Sequence, residues 1–563
     1  MHIVRTGRST LPSLTGCAVN LAAAGVQALL ARSRSVACIL AVAASWASWA
    51  VAAPVSLQPR TMPAIARVGK RYLSYNVEMA EVVGGKFWKP YSRLTRTAKG
   101  SRDVKQPGPS VAKGPEIEIG QNSSMFEARP PVNLYDARLR KLAAALGPAY
   151  VRVSGTWANS VFFDDSDSIA PAAPPKGFQS VLTRAEWKGV VRFAHAVDAR
   201  IVTSFTISAG VRNAAGVWTA GQARRWMNYT KAIGGDIAAA EFFNEPTFAA
   251  MGGAPPGYDA ADYAHDFERF RGFARTQAPH MLIVGPGSVG EGVKLMPGPL
   301  LATADLLSAY PRPTFDVFSY HSYAAASERC AALDHGIVGT TRAAALTDEW
   351  LAEPDRINDF YEGLRDRFEP GRPVWVTETA DAACGGNPWA ATFLDSFRFL
   401  DEIGQLAQRG VQAVFHNTLD SSDYGLIDQQ TMKPRPDYWA ALIWRRLMGR
   451  VVLDPGPARA GLHVYAQCLH AQPGSVAVLL INMSRTRAQT IELPVPARRY
   501  TLTAASLEAT QVLLNGHPLR LMADGNVPVL VGKRVRAGSI DIAPVSITFL
   551  ATNPDSRSCR GRK

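Results

Sequence analysis

The chain has 563 residues, with 61 lysines and arginines against 47 aspartates and glutamates, giving a net charge of +14. That length suggests two or more domains, or one large barrel with an addition. Hydrophobic residues make up 47% and charged residues 19%, which excludes disorder as the main state and supplies a large core. No internal repeat is visible, which argues against a solenoid or propeller. The cation excess suggests an acidic partner: nucleic acid, an anionic membrane surface or an anionic polymer.

Residues 1–52 hold Arg5, Arg8, Arg32 and Arg34 and no acid, and an apolar run over 36–51 leads into Ala52. A positive flank, a short apolar segment and a small-x-small site describe a secretory signal cut near Ala52. The protein is therefore expected to be secreted or periplasmic. A membrane anchor is the competing reading, but the run is shorter than the ~20 residues a spanning helix needs, so no stable anchor is expected. Leu14-Thr15-Gly16-Cys17 resembles a lipoprotein box but follows no apolar stretch. Residues 53–68 form a short segment able to add a strand to a later sheet.

Residues 69–448 alternate apolar runs with amphipathic stretches. The runs cover 72–79, 150–154, 201–207, 239–243, 281–284, 315–320, 373–377 and 411–416. Near-continuous apolar strands between helices indicate parallel strands buried on both faces. Helical patterns occupy 136–146, 184–197, 219–233, 260–274, 356–367 and 388–409. Eight such units fit a (β/α)8 TIM barrel, with a doubly wound open sheet as the alternative. The stretch 92–120 is rich in Lys, Arg, Pro, Gly and Ser and reads as a solvated loop. The acidic opening of 164–180 lacks the glycine of a calcium loop.

Residues 449–563 change character. Short strands at 464–468, 476–481, 490–493, 500–504, 511–514 and 546–551 are separated by Gly, Pro and Asn. This pattern predicts a C-terminal β-sandwich, with a basic tail over 555–563.

In such a barrel the active site lies at the C-terminal ends of the strands. The fourth strand runs into Phe243-Asn244-Glu245-Pro246 and the seventh ends in Val376-Thr377-Glu378-Thr379. A carboxylate closing a buried apolar strand is costly unless it is used or paired. Glu245 and Glu378 would face each other across the barrel mouth, as glycosidic hydrolysis requires. Otherwise they would be ordinary acids capping the next helix. Glu78, Ser154 and Thr156 end the first two strands and are candidates for binding sugar hydroxyls.

Without the signal, Cys330, Cys384, Cys468 and Cys559 remain. Four cysteines in an exported protein permit two disulfides in three connectivities, and free thiols are an alternative for Cys330 and Cys384. No His or Cys cluster has metal-ligand spacing, so no metal is expected. Gly285-Pro286-Gly287-Ser288-Val289-Gly290 matches a dinucleotide fingerprint, but its proline and its place after a fifth barrel strand argue against a nucleotide. No cofactor is expected. His195, His265 and His416 read as core or surface histidines, and His321 as a candidate for lining the site. Trp88, Trp157, Trp218 and Trp389 would stack on sugars only if they lie at the barrel mouth.

The chain resembles glycoside hydrolase family 79, the heparanase and β-glucuronidase family of the retaining (β/α)8 clan. The matching segments are Tyr150-Val151-Arg152-Val153-Ser154-Gly155-Thr156, Phe243-Asn244-Glu245-Pro246, His321-Ser322-Tyr323, Thr377-Glu378-Thr379 with Gly385-Gly386, Tyr424-Gly425-Leu426-Ile427-Asp428, and Pro436-Asp437-Tyr438-Trp439. The resemblance implies that Glu245 is the acid/base and Glu378 the nucleophile. It implies that Asn244 binds the sugar 2-hydroxyl and that Tyr323 orients Glu378. A uronic acid carboxylate would lie against the amides of Gly385 and Gly386 and the Tyr424 hydroxyl. The resemblance favours pairing Cys468 with Cys559, which leaves Cys330 and Cys384 to link the loops after strands six and seven. The family's mammalian members carry a long excised linker after the second strand. The corresponding stretch, 164–180, is short here, which implies a single chain without processing.

The expected function is a secreted retaining β-glucuronidase on glucuronic acid-containing polysaccharide, with heparan sulfate the candidate and endo action expected. The alternatives are an exo-acting β-glucuronidase and a noncatalytic glycan-binding protein. A monomer with no nucleic-acid partner is expected, because the cations follow no binding motif.

Overall fold

A computed structural model describes residues 54–98, 125–169, 171, 173–293, 295, 301–333, 336–457 and 459–560. The signal segment and most of the basic loop 92–120 lie outside the described residues. Eight parallel strands form a closed barrel: Leu73–Asn76, Ala149–Val153, Ala199–Ser204, Ile237–Glu241, Leu282–Ser288, Val317–Ser322, Val374–Thr379 and Ala413–His416. Closure is direct, since Leu73 of the first strand is in register with Val414 of the eighth. This rules out the open doubly wound sheet. Each expected apolar run overlaps one barrel strand. Gly285 and Pro286 of the fingerprint-like segment lie inside the fifth strand rather than in a phosphate-binding turn.

Several helices start where side chains cap them. Asp136 accepts the Leu139 amide ahead of Ala137–Leu146. Thr183 with Glu186, and Asp259 with Asp262, form capping boxes ahead of Arg184–Ala196 and Ala260–Gln277, each satisfying two otherwise orphaned amides. The helix Pro436–Leu447 escaped the periodicity reading because it is buried on nearly every side. A helix that is apolar all round shows no amphipathic stripe.

The barrel interior is layered by the two-residue period of its strands. Tyr150, Val202, Ala239, Val284, Val317, Trp375, Ala413 and Phe415 form an apolar plug, with Tyr150 against Trp375 at 4.8 Å between ring centroids. Two residues further along four of these strands stand Arg152, Glu241, Ser319 and Thr377, all buried. The polar mouth therefore rests on an apolar floor.

The C-terminal strands form two sheets. The larger includes Met448–Leu453, Leu462–Leu469, Val476–Asn482, Ala497–Ala504, Lys533–Val535 and Ser546–Thr552. The smaller comprises Val55–Ser56, Gln489–Leu493 and Gly538–Ile542. The larger sheet is covered on both faces. Val476, Val478 and Leu480 share a core with Ile491, Leu493 and Ile542 of the smaller sheet. Ala477, Leu479 and Ile481 join the core that runs through the barrel helices. The arrangement is thus small sheet, large sheet, barrel. Residues ahead of the barrel enter both sheets, with Val55 opposite Ile491 and Ala66 opposite Val452.

Two disulfides are present among the described residues. Cys468–Cys559 ties a central strand of the large sheet to the C-terminal turn. Cys330–Cys384 links the loops after the sixth and seventh barrel strands. Among the described residues, no helix is long and apolar enough to cross a membrane.

Candidate active site

A cavity of about 820 Å³ opens at the C-terminal ends of the barrel strands, and its wall includes Glu78, Asn244, Glu245, Tyr323, Glu378 and Tyr424. The fourth strand delivers Glu245 through a clamped turn. Asn159 Oδ1 accepts the Asn244 amide at 2.8 Å and Asn159 Nδ2 donates to the Asn244 carbonyl at 2.9 Å. Glu245 then takes a left-handed backbone conformation, φ 51°, uncommon for a side chain with a Cβ. Pro246 follows at once and starts a short 3₁₀ turn, Pro246–Phe248. The reversal stands the Glu245 carboxyl on the cavity wall. Such strained positions persist only where their surroundings over-determine them, and the Asn159 clamp does so here.

Glu378 stands across the mouth on the seventh strand, in register with His321 of the sixth. Its Oε1 accepts from the Tyr323 hydroxyl at 2.6 Å and from Asn417 Nδ2 at 3.3 Å. Its Oε2 accepts from Arg152 Nη1 at 2.9 Å. One oxygen atom each of Glu245 and Glu378 lies within 4.8 Å of the other, with a His321 ring nitrogen equally close.

Arg152 sits beneath both carboxyls and is 0% exposed. Its Nε and Nη2 donate to Glu241 Oε2 at 3.1 and 2.8 Å, and Nη2 also donates to Asn244 Oδ1 at 2.8 Å. A buried cation requires paired anions, and Glu241 and Glu378 supply them. Glu241 Oε1 accepts from the hydroxyls of Ser319 and Thr377 at 3.0 and 2.7 Å. Burial alone would raise the Glu241 carboxyl. The Arg152 guanidinium and the Thr377 hydroxyl outweigh it and hold Glu241 below the usual range.

His321 links the layers. Its Nε2 lies 3.1 Å from Arg152 Nη2. Arginine only donates, so Nε2 accepts and the ring proton sits on Nδ1. That proton points at Glu245 Oε1, 3.0 Å away. Burial raises the Glu245 carboxyl above its ordinary value, the nearby Glu378 charge raises it further, and the His321 hydrogen bond opposes both. Burial and the Glu378 charge also push the Tyr323 hydroxyl well up.

Glu78 lies on the same wall. Burial, then the charge of Glu378, raises its carboxyl well above the usual range. Its Oε2 has no hydrogen-bond partner and rests on Gly155, φ 88°, where a Cβ would come within 1.4 Å of it. Thr156 and Trp157 line the cavity beside Gly155. Trp88 is also on the wall, stacked on Phe126 at 4.5 Å, whereas Trp218 and Trp389 are buried in the packing. Ser154 does not reach the wall; its hydroxyl is 2.6 Å from that of Ser204 in the barrel. Tyr424 lines the wall and its hydroxyl accepts from Asn417 Nδ2 at 3.3 Å. Gly385 and Gly386 stand a layer behind, packed on Trp88 and Tyr424. The disulfide partners Cys330 and Cys384 are both in the wall. His416 is buried with Nε2 2.7 Å from the Tyr424 carbonyl, and burial pushes its ring down to about 4.

Arg152, Glu241, Asn159 and Asn417 were not singled out from sequence. Arg152 had a usable signal, as a lone cation in the apolar run 150–154. Glu245, His321 and Glu378 together offer three ligand atoms to a divalent ion. However, the Arg152 guanidinium already contacts Glu378 and His321, and a second cation there would be repelled. The arrangement suits proton transfer and nucleophilic attack instead. One carboxyl is biased toward its protonated form, and the other is held by fixed donors.

The closed barrel and its facing carboxyls define the class: a (β/α)8 fold of the glycosidase type. No protein-family model matches the chain. Comparison with curated sequences places it near the heparanases. It is 25% identical over 483 residues to heparanase-like protein 1 of Arabidopsis thaliana, covering 75% of this chain and 85% of that protein. It is 26% identical to mouse heparanase over 71% of this chain and 83% of that one. It is 30% identical to human inactive heparanase-2 over a shorter stretch, 35% of this chain and 38% of that one. Among solved structures, a 4-O-α-L-rhamnosyl-β-D-glucuronidase from Fusarium oxysporum superimposes with TM-score 0.57 at 14% identity, over 88% of this chain and 99% of that one. The chain is heparanase-like in sequence and glycosidase-like in fold.

Proposed function

We propose that this chain is an exported retaining glycoside hydrolase that cleaves β-D-glucuronosyl linkages in acidic polysaccharide, with heparan sulfate as the candidate substrate. The observation that carries the reading is the convergence of Glu245 and Glu378 within 4.8 Å. Carboxyls this close leave no room for the intervening water of an inverting enzyme. In the first step Glu378 attacks the anomeric carbon as Glu245 gives its proton to the leaving oxygen. In the second, Glu245 takes a proton from water, and that water displaces Glu378 from the sugar. Arg152, Tyr323 and Asn417 hold Glu378 in line. Asn244 would bind the 2-hydroxyl, and the Glu78 carboxyl another sugar hydroxyl. The Tyr424 hydroxyl would meet the uronate carboxylate, with Gly385 and Gly386 behind it. Export is supported by residues 1–52 and by two disulfides, which persist in oxidising compartments.

An exo-acting enzyme is the second reading. Among the described residues the cavity wall carries one cation, Lys86, where a cleft gripping a long polyanion would carry several. Both carboxyls are in place, which argues against a purely noncatalytic role of the kind the name inactive heparanase-2 describes.

The test is covalent trapping. A 2-deoxy-2-fluoro-β-glucuronide with an activated leaving group should leave a glycosyl ester on Glu378, visible by peptide mass spectrometry. Normal turnover with no adduct, or an adduct elsewhere, rejects the mechanism. Product sizing on heparan sulfate separates the two readings: early shortening of the chain means endo action, and monosaccharide release alone means exo action.

A further inference from the structure

A second cavity, of about 620 Å³, lies in the C-terminal sheets and shares no residue with the barrel mouth. Arg446, Arg498, Arg534, Arg536 and His470 line it, and no aspartate or glutamate does. Arg446 stands near the C-terminus of the helix Pro436–Leu447. That helix follows the eighth strand and runs antiparallel to it, so it carries Arg446 to the end of the barrel away from the mouth. Arg498 and Arg534 lie directly opposite each other in the antiparallel pairing of their strands. Like charges in that position repel and weaken the pairing.

Several other arginines of the fold are paired. Arg152, Arg212, Arg398 and Arg409 each hold one or more carboxylates. Among the described residues, no hydrogen bond or ion pair is made by the side chains of Arg446, Arg498, Arg534 or Arg536. Burial, then the charges of Arg445 and Arg446, hold His470 below its ordinary value, a local sign of an uncompensated positive field. Leu447, Leu469, Tyr500 and Val535 supply apolar wall between the cations.

We propose that this cavity is a second, noncatalytic site for a segment of anionic polysaccharide, carrying sulfate or carboxylate groups. Guanidinium forks match those groups in bidentate fashion, and the apolar wall fits the faces of sugar rings. An anion between Arg498 and Arg534 relieves their repulsion. The choice of glycan over nucleic acid rests on the functional reading above. The pocket also presents a single aromatic ring, Tyr500, where a nucleic-acid strand would use a longer track of stacking rings. Binding here would tether a polymer while the barrel mouth works on another part of it, raising local substrate concentration.

The experiment uses the full chain with Arg498→Gln, Arg534→Gln and Arg536→Gln combined, and the matching triple lysine variant. Size-defined heparin oligosaccharides are titrated calorimetrically into each, in a Glu378→Gln background that cannot cleave. The glutamine variant should lose one class of binding site and much of the salt dependence, and the lysine variant should keep most of both. In the active background, KM for heparan sulfate should rise by about tenfold or more, with kcat/KM on an aryl β-glucuronide unchanged. Unchanged oligosaccharide affinity and salt dependence in a folded glutamine variant overturns the proposal. So does a single-stranded oligonucleotide that binds tighter than the heparin oligosaccharide, or sodium sulfate that competes as well as the oligosaccharide at equal sulfate concentration. If no β-glucuronide is cleaved but the arginine variants still lose heparin binding, the functional reading fails and the second site stands.

Discussion

The two cavities treat charge in opposite ways. At the barrel mouth Arg152 is sealed from water between Glu241 and Glu378, each of which accepts a hydrogen bond from it. In the second cavity, four exposed arginines share a wall with no carboxylate. The first arrangement fixes protonation states and geometry, which bond breaking needs. The second leaves a field unspent, which capture of a charged polymer needs. One fold can therefore hold both only if the two sites are kept apart, as they are here.

Substitutions should break this contrast in graded steps. The largest effect belongs to Glu378→Gln, which should lower kcat on an aryl β-glucuronide by more than about 10⁴-fold while the fold persists. Glu245→Gln should cost about 10²–10⁴-fold where the leaving group needs a proton, and much less where it does not. A raised Glu245 keeps its proton to higher pH than a free glutamate, and the proposed mechanism needs that proton. The rate should therefore fall as pH rises through the Glu245 titration. In Glu245→Gln that alkaline limb should vanish for good leaving groups; a limb that survives assigns it to another group.

Arg152→Met strands Glu241 without its cation. Breaking such a pair costs about 3–5 kcal/mol, read as a lower denaturation midpoint. Adding Glu241→Gln should recover part of the loss, and a double variant no better than the single one would refute the pairing. Gly155→Ala should displace Glu78, lowering kcat/KM by about tenfold to a hundredfold, and the strain of alanine at φ 88° should lower thermal stability as well. The smallest effect has the opposite sign. Arg498→Gln removes a cross-strand repulsion and should raise stability by about 0.2–1 kcal/mol. A clear loss on thermal melting would show that the arginine is structural.

The eight barrel strands were legible because parallel strands buried on both faces are near-continuous apolar runs. Glu245 and Glu378 were legible because carboxylates stand out at the ends of such runs. Arg152 and Glu241 were not, since their meaning depends on pointing inward at one level of a closed barrel, which only pairing of the first strand with the eighth establishes. Asn417 lies just past the eighth strand, where the local sequence carries no periodic signal. The position of Gly385 and Gly386 behind Tyr424 depends on how separate loops pack, which spacing along the chain cannot convey. The sandwich strands were readable, but not that their larger sheet has a barrel on its second face: alternation of side chains looks the same whichever apolar partner covers each side.

That two-sided sheet bears on how the polypeptide reaches its final form. Residues 55–56 and 64–67 pair with strands that begin roughly 400 positions later, in the smaller and larger sheets respectively, and the larger sheet seals the helices of the barrel. The barrel cannot finish as an autonomous unit while the rest is still being synthesised. Its outer face stays uncovered until the last fifth of the sequence arrives, so a fragment ending near 448 should aggregate rather than persist. On the proposed export, late closure of this kind would keep the chain threadable until passage is complete.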